Sequence, residues 1–294
     1  MSQPAVHQPI AQRAGPRAFT PQSIGLAATL AMHDELALSP KPGLVTLISR
    51  GSHADMDAHT FMRSLSALRG YFVEIAHLGA CGARFDALER CGIAAEACML
   101  AATGGINTHR GTVFMLGLLC ASAGAAAASG HRPSPQRIRQ TLKVHWGEAL
   151  SARALRPSSL PGGRAARRLG LRSASAEAAL GFPTLFEVAV PTLQAAQARG
   201  LDRQAAGIDT LLQVIAVLDD SNLAHRGGLE GLRFAQRRAR EALAAGGASR
   251  PEGLAVVAAM AREFEQRGLS PGGAADMLAA ACWVRRLGAL SGSP

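Results

Sequence analysis

Aromatic residues are scarce in this chain: they make up 4% of 294 residues, with one tyrosine and two tryptophans. Runs of β-branched residues are few as well, and helix formers fill the gap, which argues for packed helices over sheets. No alternating strand pattern of useful length, internal repeat or heptad seam is present. Lysine is almost missing, with Lys41 and Lys143 set against 31 basic residues in all. Cysteine is odd in number (Cys81, Cys91, Cys98, Cys120, Cys282) and forms no C-x-x-C pair. A disulfide framework and a zinc ribbon are therefore not expected, and a reducing, cytoplasmic setting fits best. Charged residues reach 18% against 48% hydrophobic, which excludes general disorder.

Residues 1–19 lack an apolar signal region, carry Pro4, Pro9 and Pro16, and read as a disordered tail. One stretch, residues 111–130, runs without a charge, and at 1.5 Å per residue would cross a bilayer of about 30 Å. Its second half is nearly all Ala, Ser and Gly, it stands alone, and a polar motif abuts it. A central helix wrapped by other helices accounts for all of this without a membrane. The formal charge of +10 points to an anionic partner. Arginine forks suit phosphates and carboxylates, while the Arg-for-Lys skew looks compositional and weakens any inference of nucleic-acid binding.

Thr20-Pro21 opens a helix to about Leu38, because Thr caps and Pro fits the first turn. Ser39-Pro40-Lys41-Pro42-Gly43 ends it. Phe61, Leu65, Leu68, Phe72 and Ile75 mark one buried face of the next helix. Further helices are expected over 83–101, 111–130, 135–155, around Ala176, and over 183–199, 202–218, 229–245, 251–267 and 271–290. Residues 156–170, rich in Pro, Gly and Arg, read as a mobile connector. The expectation is an all-α single globular domain over residues 20–290, with about ten helices around a central apolar helix.

Four polar, glycine-bearing segments abut these helices, and each has a bland reading beside a chemical one. The first contains Lys41, a turn lysine or a compact ammonium for a site, and leads to His53, Asp55, Asp57 and His59. Asp57 suits a helix cap, and this set lacks the scaffold that zinc prefers. In the second, Asn107-Thr108-His109-Arg110-Gly111 enters a helix N-terminus, where free N–H groups and Arg110 make an anion seat. Alternatively Asn107 or Thr108 caps the helix while His109 and Arg110 face water. The third, Asp219 to Gly228, pairs carboxylates with Asn222, Arg226, Gly227 and Gly228, suiting Mg²⁺ brought by a nucleotide, or else a helix break with local turn bonds. The fourth, Ser270-Pro271-Gly272-Gly273, starts a helix, with Asp276 one turn in.

These segments, SPKPGLV with GSHADMD, GGINTHRGTVFMLGLLCA, DDSNLAHRGG and GLSPGGAADML, resemble the triphosphoribosyl-dephospho-CoA synthases in order and approximate spacing. GFPTLFEVAVPTL is similar to the segment between the second and third motifs. Two departures are visible: Ser173-Ala174-Ser175 stands where a Gly-Ala-Arg-like run is expected, and Ser221 replaces a more usual Thr. The resemblance implies an all-α enzyme that joins the ribose C1 of ATP to the 2′-hydroxyl of 3′-dephospho-CoA. Adenine is released and the triphosphate kept, providing the prosthetic-group precursor of malonate decarboxylase or, less favoured, citrate lyase. A carrier-protein transferase would take the product onward, with no nucleic-acid or membrane partner, and a homodimer is a possible assembly.

Glycosyl transfer of this kind needs a base for the hydroxyl, negative charge near the cation-like sugar, and donors for the triphosphate. Asp55, Asp220 and Asp276 are the carboxylates in the matched motifs. The expected assignment gives Mg²⁺–triphosphate to Asp220 with Asp219, and the base or cation stabiliser to Asp55 or Asp276. Lys41, His53, His109, Arg110 and Arg226 would hold phosphates, and Asn107 and Asn222 sugar or base groups. Gly227, Gly228, Gly272 and Gly273 would let backbone N–H groups approach. The competing readings are a Mg²⁺-dependent nucleotide hydrolase or phosphotransferase, and a basic helical nucleic-acid-binding protein motivated by Arg233, Arg237, Arg238 and Arg240.

Overall fold

Thr20 and Ser23 exchange hydrogen bonds through their side chains at the start of α1 (Pro21–Ala37), so the first helix begins where the capping residues place it. The computed structural model describes residues 19–290; the tail expected over residues 1–19 therefore lies outside the described residues except at Phe19. After α1 come α2 (Ala58–Ala80), α3 (Phe85–Thr103), α4 (Arg110–Ala128), α5 (Pro135–Leu155), α6 (Pro161–Leu169) and α7 (Ala174–Ala179). A π-turn (Thr184–Ala189) leads into α8 (Val190–Ala198), followed by α9 (Arg203–Val217), α10 (Ser221–Ala244), α11 (Pro251–Arg267) and α12 (Gly272–Ala289). The described residues form no strand, and twelve α-helices replace the ten or so expected.

The uncharged segment is α4, and it is a core helix. Leu116, Leu119, Cys120, Ala121 and Ala123 are wholly buried. It is the one described helix long and apolar enough to cross a membrane, and α1, α2, α3, α5 and α12 pack around it. Its small residues set the packing distance. A Cβ at Gly124 would strike the Ala76 carbonyl, and one at Gly79 the Ala121 carbonyl, so α2 and α4 approach backbone to backbone. Tyr71 completes the contact by donating its hydroxyl to the Val113 carbonyl at 2.8 Å. Buried side chains of every helix except α6 merge into one main apolar cluster.

The structure departs from the sequence expectation in two places that bear on function. Residues 156–170 are not simply a connector: Pro161 starts α6, Ala165 and Ala166 bury its inner face, and Gly170 ends it in the left-handed conformation. Helix α10 starts at Ser221 rather than Leu229. Asp220 caps it, and Gly228, with φ 63° and ψ −163°, only kinks the chain, a backbone state open to glycine.

Candidate active site

The starts of α4, α10 and α12 converge on the loop that follows α1, and each brings its own polar groups. The loop is held down by close backbone approach: Gly43 has φ +70°, and a Cβ there would collide with the Leu269 carbonyl. Ser52 adds a 2.6 Å hydrogen bond from its hydroxyl to the same carbonyl.

Lys41 is buried on this loop, and its ammonium donates to the Glu35 carbonyl at 2.7 Å and forms an ion pair with the Glu35 carboxylate. Burial lowers its pKa while Glu35 pulls it back up. A buried ammonium without such a partner would be far costlier, so Glu35 is what lets Lys41 sit here.

His109, at the start of α4, is buried as well, with Phe61 edge-on to its ring at 4.7 Å. Thr108 donates its hydroxyl to Ser64 at 2.7 Å, and Ser64 lies 2.7 Å from His109 Nδ1. The Ser64 contact holds the ring through Nδ1. Burial and the Lys41 ammonium push the His109 pKa down to about 3. The imidazole is therefore neutral, not a phosphate-binding cation, and it does not face water.

Asp276, one turn into α12, accepts from the Thr112 hydroxyl of α4. A Cβ at Gly111 would run into its carboxylate, so glycine there makes room for the acid. Asp276 keeps some solvent contact. Dense surroundings, with Asp220 and Glu35 adding their negative charge, raise its pKa to about 7. A carboxyl poised near neutrality and beside other acids is suited to taking or giving a proton.

Asp220 is placed differently. Its Oδ1 accepts from the Asn222 and Leu223 N–H groups at 2.8 and 3.2 Å, capping α10, and its Oδ2 accepts from Ala274 N–H at 3.0 Å, capping α12. The Gly273 N–H also favours its ionised form, against a burial that pushes the pKa up. Helix α12, whose own preceding residue offers no side-chain cap, thus receives one from a residue 54 positions earlier. Asp219 turns away and accepts from the Arg172 N–H at 3.2 Å.

His53 bridges the same helix starts. Its Nε2 lies 3.0 Å from Ser270 Oγ, and Arg226 donates to its Nδ1 at 3.1 Å. Burial and Arg226 take its pKa down to about 4, with Asp55 opposing. Arg226 also donates to the Ser52 and Gly268 carbonyls at 3.3 and 3.1 Å. Gly227 leaves room for the Leu269 side chain, and Gly272 and Gly273 leave room for Asn222 and Asp220.

The structure thus brings together Lys41, His53, His109, Asp220, Asn222, Arg226, Gly272, Gly273 and Asp276. It leaves others at the edge. The Asp55 side chain is 63% exposed. Arg110 is tied to Glu96 at 2.8 Å, and Asn107 accepts from the Arg110 N–H at 3.2 Å, while His109 itself stands at the N-cap of α4, so neither Asn107 nor Thr108 is the cap that the alternative expected. The expected Asp219–Asp220 metal pair finds no support in this arrangement. Backbone N–H groups surround Asp220, and among the described residues no group of three or more His, Cys, Asp or Glu is placed to hold an ion. Sequence reasoning gave no role to Glu35, Ser64, Thr112 or Ser270, although Thr112 and Ser270 lie inside the second and fourth matched segments and Glu35 lies near enough in the chain to Lys41 to serve as its counter-ion.

Fold and site define an all-helical protein whose polar centre, built from helix starts, holds one carboxyl near neutrality. Residues 21–294 match the family described as CitG: ATP:dephospho-CoA triphosphoribosyl transferase, and the chain belongs to it. It is accordingly an enzyme with triphosphoribosyl-dephospho-CoA synthase activity, acting on ATP and dephospho-CoA. No solved structure matches the chain.

Proposed function

We propose that this synthase makes 2′-(5″-triphosphoribosyl)-3′-dephospho-CoA for malonate decarboxylase rather than citrate lyase, a preference resting on overall likeness of the motifs. A single catalytic domain over residues 20–290 would carry the reaction in the cytoplasm and pass the product to a carrier-protein transferase. In the reaction the glycosidic bond from ribose C1 to adenine breaks, C1 bonds to the 2′-oxygen of dephospho-CoA, and the proton given up by the hydroxyl to the base is balanced by the proton that the departing adenine takes up. The observation that carries the reading is Asp276. Its pKa near 7 and residual solvent contact suit a base for the 2′-hydroxyl, better than exposed Asp55.

The other roles follow from protonation and position. His109, neutral at working pH, offers substrate a hydrogen-bonding nitrogen without adding charge. Lys41 and Arg226 supply positive charge near the phosphates. Asp220 holds the starts of α10 and α12 in place so that Asn222 and the Gly272–Gly273 backbone meet the ligand. Mg²⁺ would arrive on the triphosphate and neutralise phosphate charge, with most of its ligands from phosphate and water; Asp219 is the carboxylate of the pair with an oxygen to spare.

The basic face proposed for nucleic acid is largely occupied: Arg238 pairs with Glu263 at 2.7 Å and with Glu241, and Arg240 donates to the Ala216 carbonyl at 3.3 Å. Incubation of the purified protein with ATP, Mg²⁺ and 3′-dephospho-CoA tests the reading. Free adenine is expected only with both substrates present, and release of ADP or phosphate instead would defeat it.

A further inference from the structure

A concave cleft of about 440 Å³ opens beside the polar centre, not within it, lined by Arg139, Arg172, Leu180, Thr184, Glu187 and Val217 among others. That volume lies in the range of small-molecule sites. Its walls mix charged and apolar side chains, and Leu180 and Val217 remain 50% and 49% exposed there.

The backbone here is irregular in a way that ordinary helix packing does not require. Phe182 has φ +50°, the one positive φ outside glycine among the described residues. For a bulky residue that state costs roughly 1–3 kcal/mol and persists only where surroundings impose it. Phe182 is buried, and its N–H donates to the Glu177 carbonyl at 2.8 Å. The chain then enters the π-turn, closed by the Val190 N–H on the Leu185 carbonyl. Single π-turns are frequent at functional sites, and this one places Thr184, Glu187 and Val188 along the cleft.

Buried Glu177 ties the pieces together. One oxygen accepts from the Thr184 N–H at 2.7 Å and the other from Arg172 at 2.9 Å. The guanidinium is thereby held at the cleft, half-exposed, while the Arg172 backbone N–H reaches Asp219. Arg139 faces it, paired with the exposed Glu187 at 2.6 Å. Such a pair is worth little in water and gives way to a better anion at small cost.

We infer that this cleft is the seat of the phosphopantetheine arm of dephospho-CoA, with the diphosphate at Arg139 and Arg172 and the aliphatic arm along Leu180, Val188 and Val217. The arm is the part of the two substrates that ATP lacks, and a cleft that sets exposed aliphatic side chains beside two guanidinium groups and a few polar ones complements it. The placement is also right for delivery. Val217 stands three residues before Asp220, so their Cα atoms are at most about 11 Å apart, and a hydroxyl tethered in the cleft reaches the centre. This inference rests on the synthase reading and adds to it which segment selects the acceptor.

Steady-state kinetics of Val217→Asp, Leu180→Asp and Arg139→Ala test it, with dephospho-CoA, ATP and the truncated acceptor ADP, which keeps a 2′-hydroxyl but has no arm. All three positions are at least partly exposed, and thermal melts check that each variant is folded. KM for dephospho-CoA should rise tenfold or more in both Asp variants while KM for ATP stays within twofold, and wild type should prefer dephospho-CoA over ADP by a margin these variants lose. Unchanged KM for dephospho-CoA in folded variants, or an equal rise for ATP, overturns the cleft assignment. A wild type that releases no adenine from the two substrates together defeats the synthase reading instead, so the two failures are separable.

Discussion

Asp220 and Asp276 stand at neighbouring helix starts, close enough to feel each other's charge, yet their surroundings prepare them for opposite tasks. Asp220 is fully buried and meets backbone N–H groups on both oxygens. Donors aimed at a carboxylate stabilise its charge, and its place is fixed by two helices at once. Asp276 has Thr112 as its donor, through hydroxyl and N–H, with acidic neighbours and some access to solvent, and its pKa rises to about 7. The same residue type becomes an anchor where backbone donors of two helices collect and a proton carrier where a single residue supplies them.

The comparison breaks most visibly in turnover. Asp276→Asn keeps an acceptor for Thr112 and removes the proton site, so adenine release should fall by roughly 10²–10⁴-fold, the usual worth of a general base. Stability should move the other way. The unfolded carboxyl titrates near the ordinary aspartate value of 3.8 and the folded one near 7. Between those values the native state binds more protons than the unfolded one, so wild-type stability falls as pH rises from about 4 to about 7 and is level above. Melts of Asp276→Asn across that window should lose most of this slope and show a higher Tm than wild type at pH 8. Wild-type kcat/KM should in turn rise with pH to a plateau above about 7. A variant with normal turnover would remove Asp276 as the base.

Asp220→Ala should behave as the reverse case. It strips the cap from α10 and leaves N–H groups unpaired at α12, for a loss of about 3 kcal/mol from one cap and the buried donors it leaves. At this chain length that lowers Tm by roughly 5 °C. Calorimetry checks it: an unchanged Tm would mean the two helix starts hold without the carboxylate, and the anchor role would be lost.

How much of this was legible before folding depends on the distance over which each residue acts. The caps of α1, α2 and α5 lie within three residues of the N–H they satisfy, and Thr20, Asp57 and Ser134 announced them. Local spacing likewise marked α4 as a buried helix. The role of Asp220 at α12 was hidden, because a local motif shows no partner across 54 residues. Ser64 and Thr112 were invisible for the same reason: each lies inside a helix and acquires a role only when α2, α4 and α12 meet. The GFPTLFEVAVPTL segment was noticed only as likeness; the positive φ of Phe182 and the π-turn are tertiary outcomes of packing, with no local signature. Residues 156–170 misled because Pro and Gly usually break structure, whereas here Pro161 opens a helix and Gly170 closes one.

The smallest expected effect separates Asp276 from the acid that shares its motif-level credentials. Asp55 is 63% exposed and lies 3.9 Å from His53 Nδ1, whose low pKa leaves the imidazole uncharged at neutral pH. With a neutral partner and water on most of its surface, its carboxylate has little to lose. Asp55→Asn should therefore change stability by less than about 0.5 kcal/mol, within the usual range for surface positions, and alter adenine release no more than twofold. The His53 pKa offers a second readout: Asp55 raises it, so the variant should titrate slightly lower, as followed by imidazole NMR. A hundredfold loss of turnover with the rise of kcat/KM towards pH 7 abolished would transfer the base from α12 to the loop after α1, and Asp276 would be left with positioning alone.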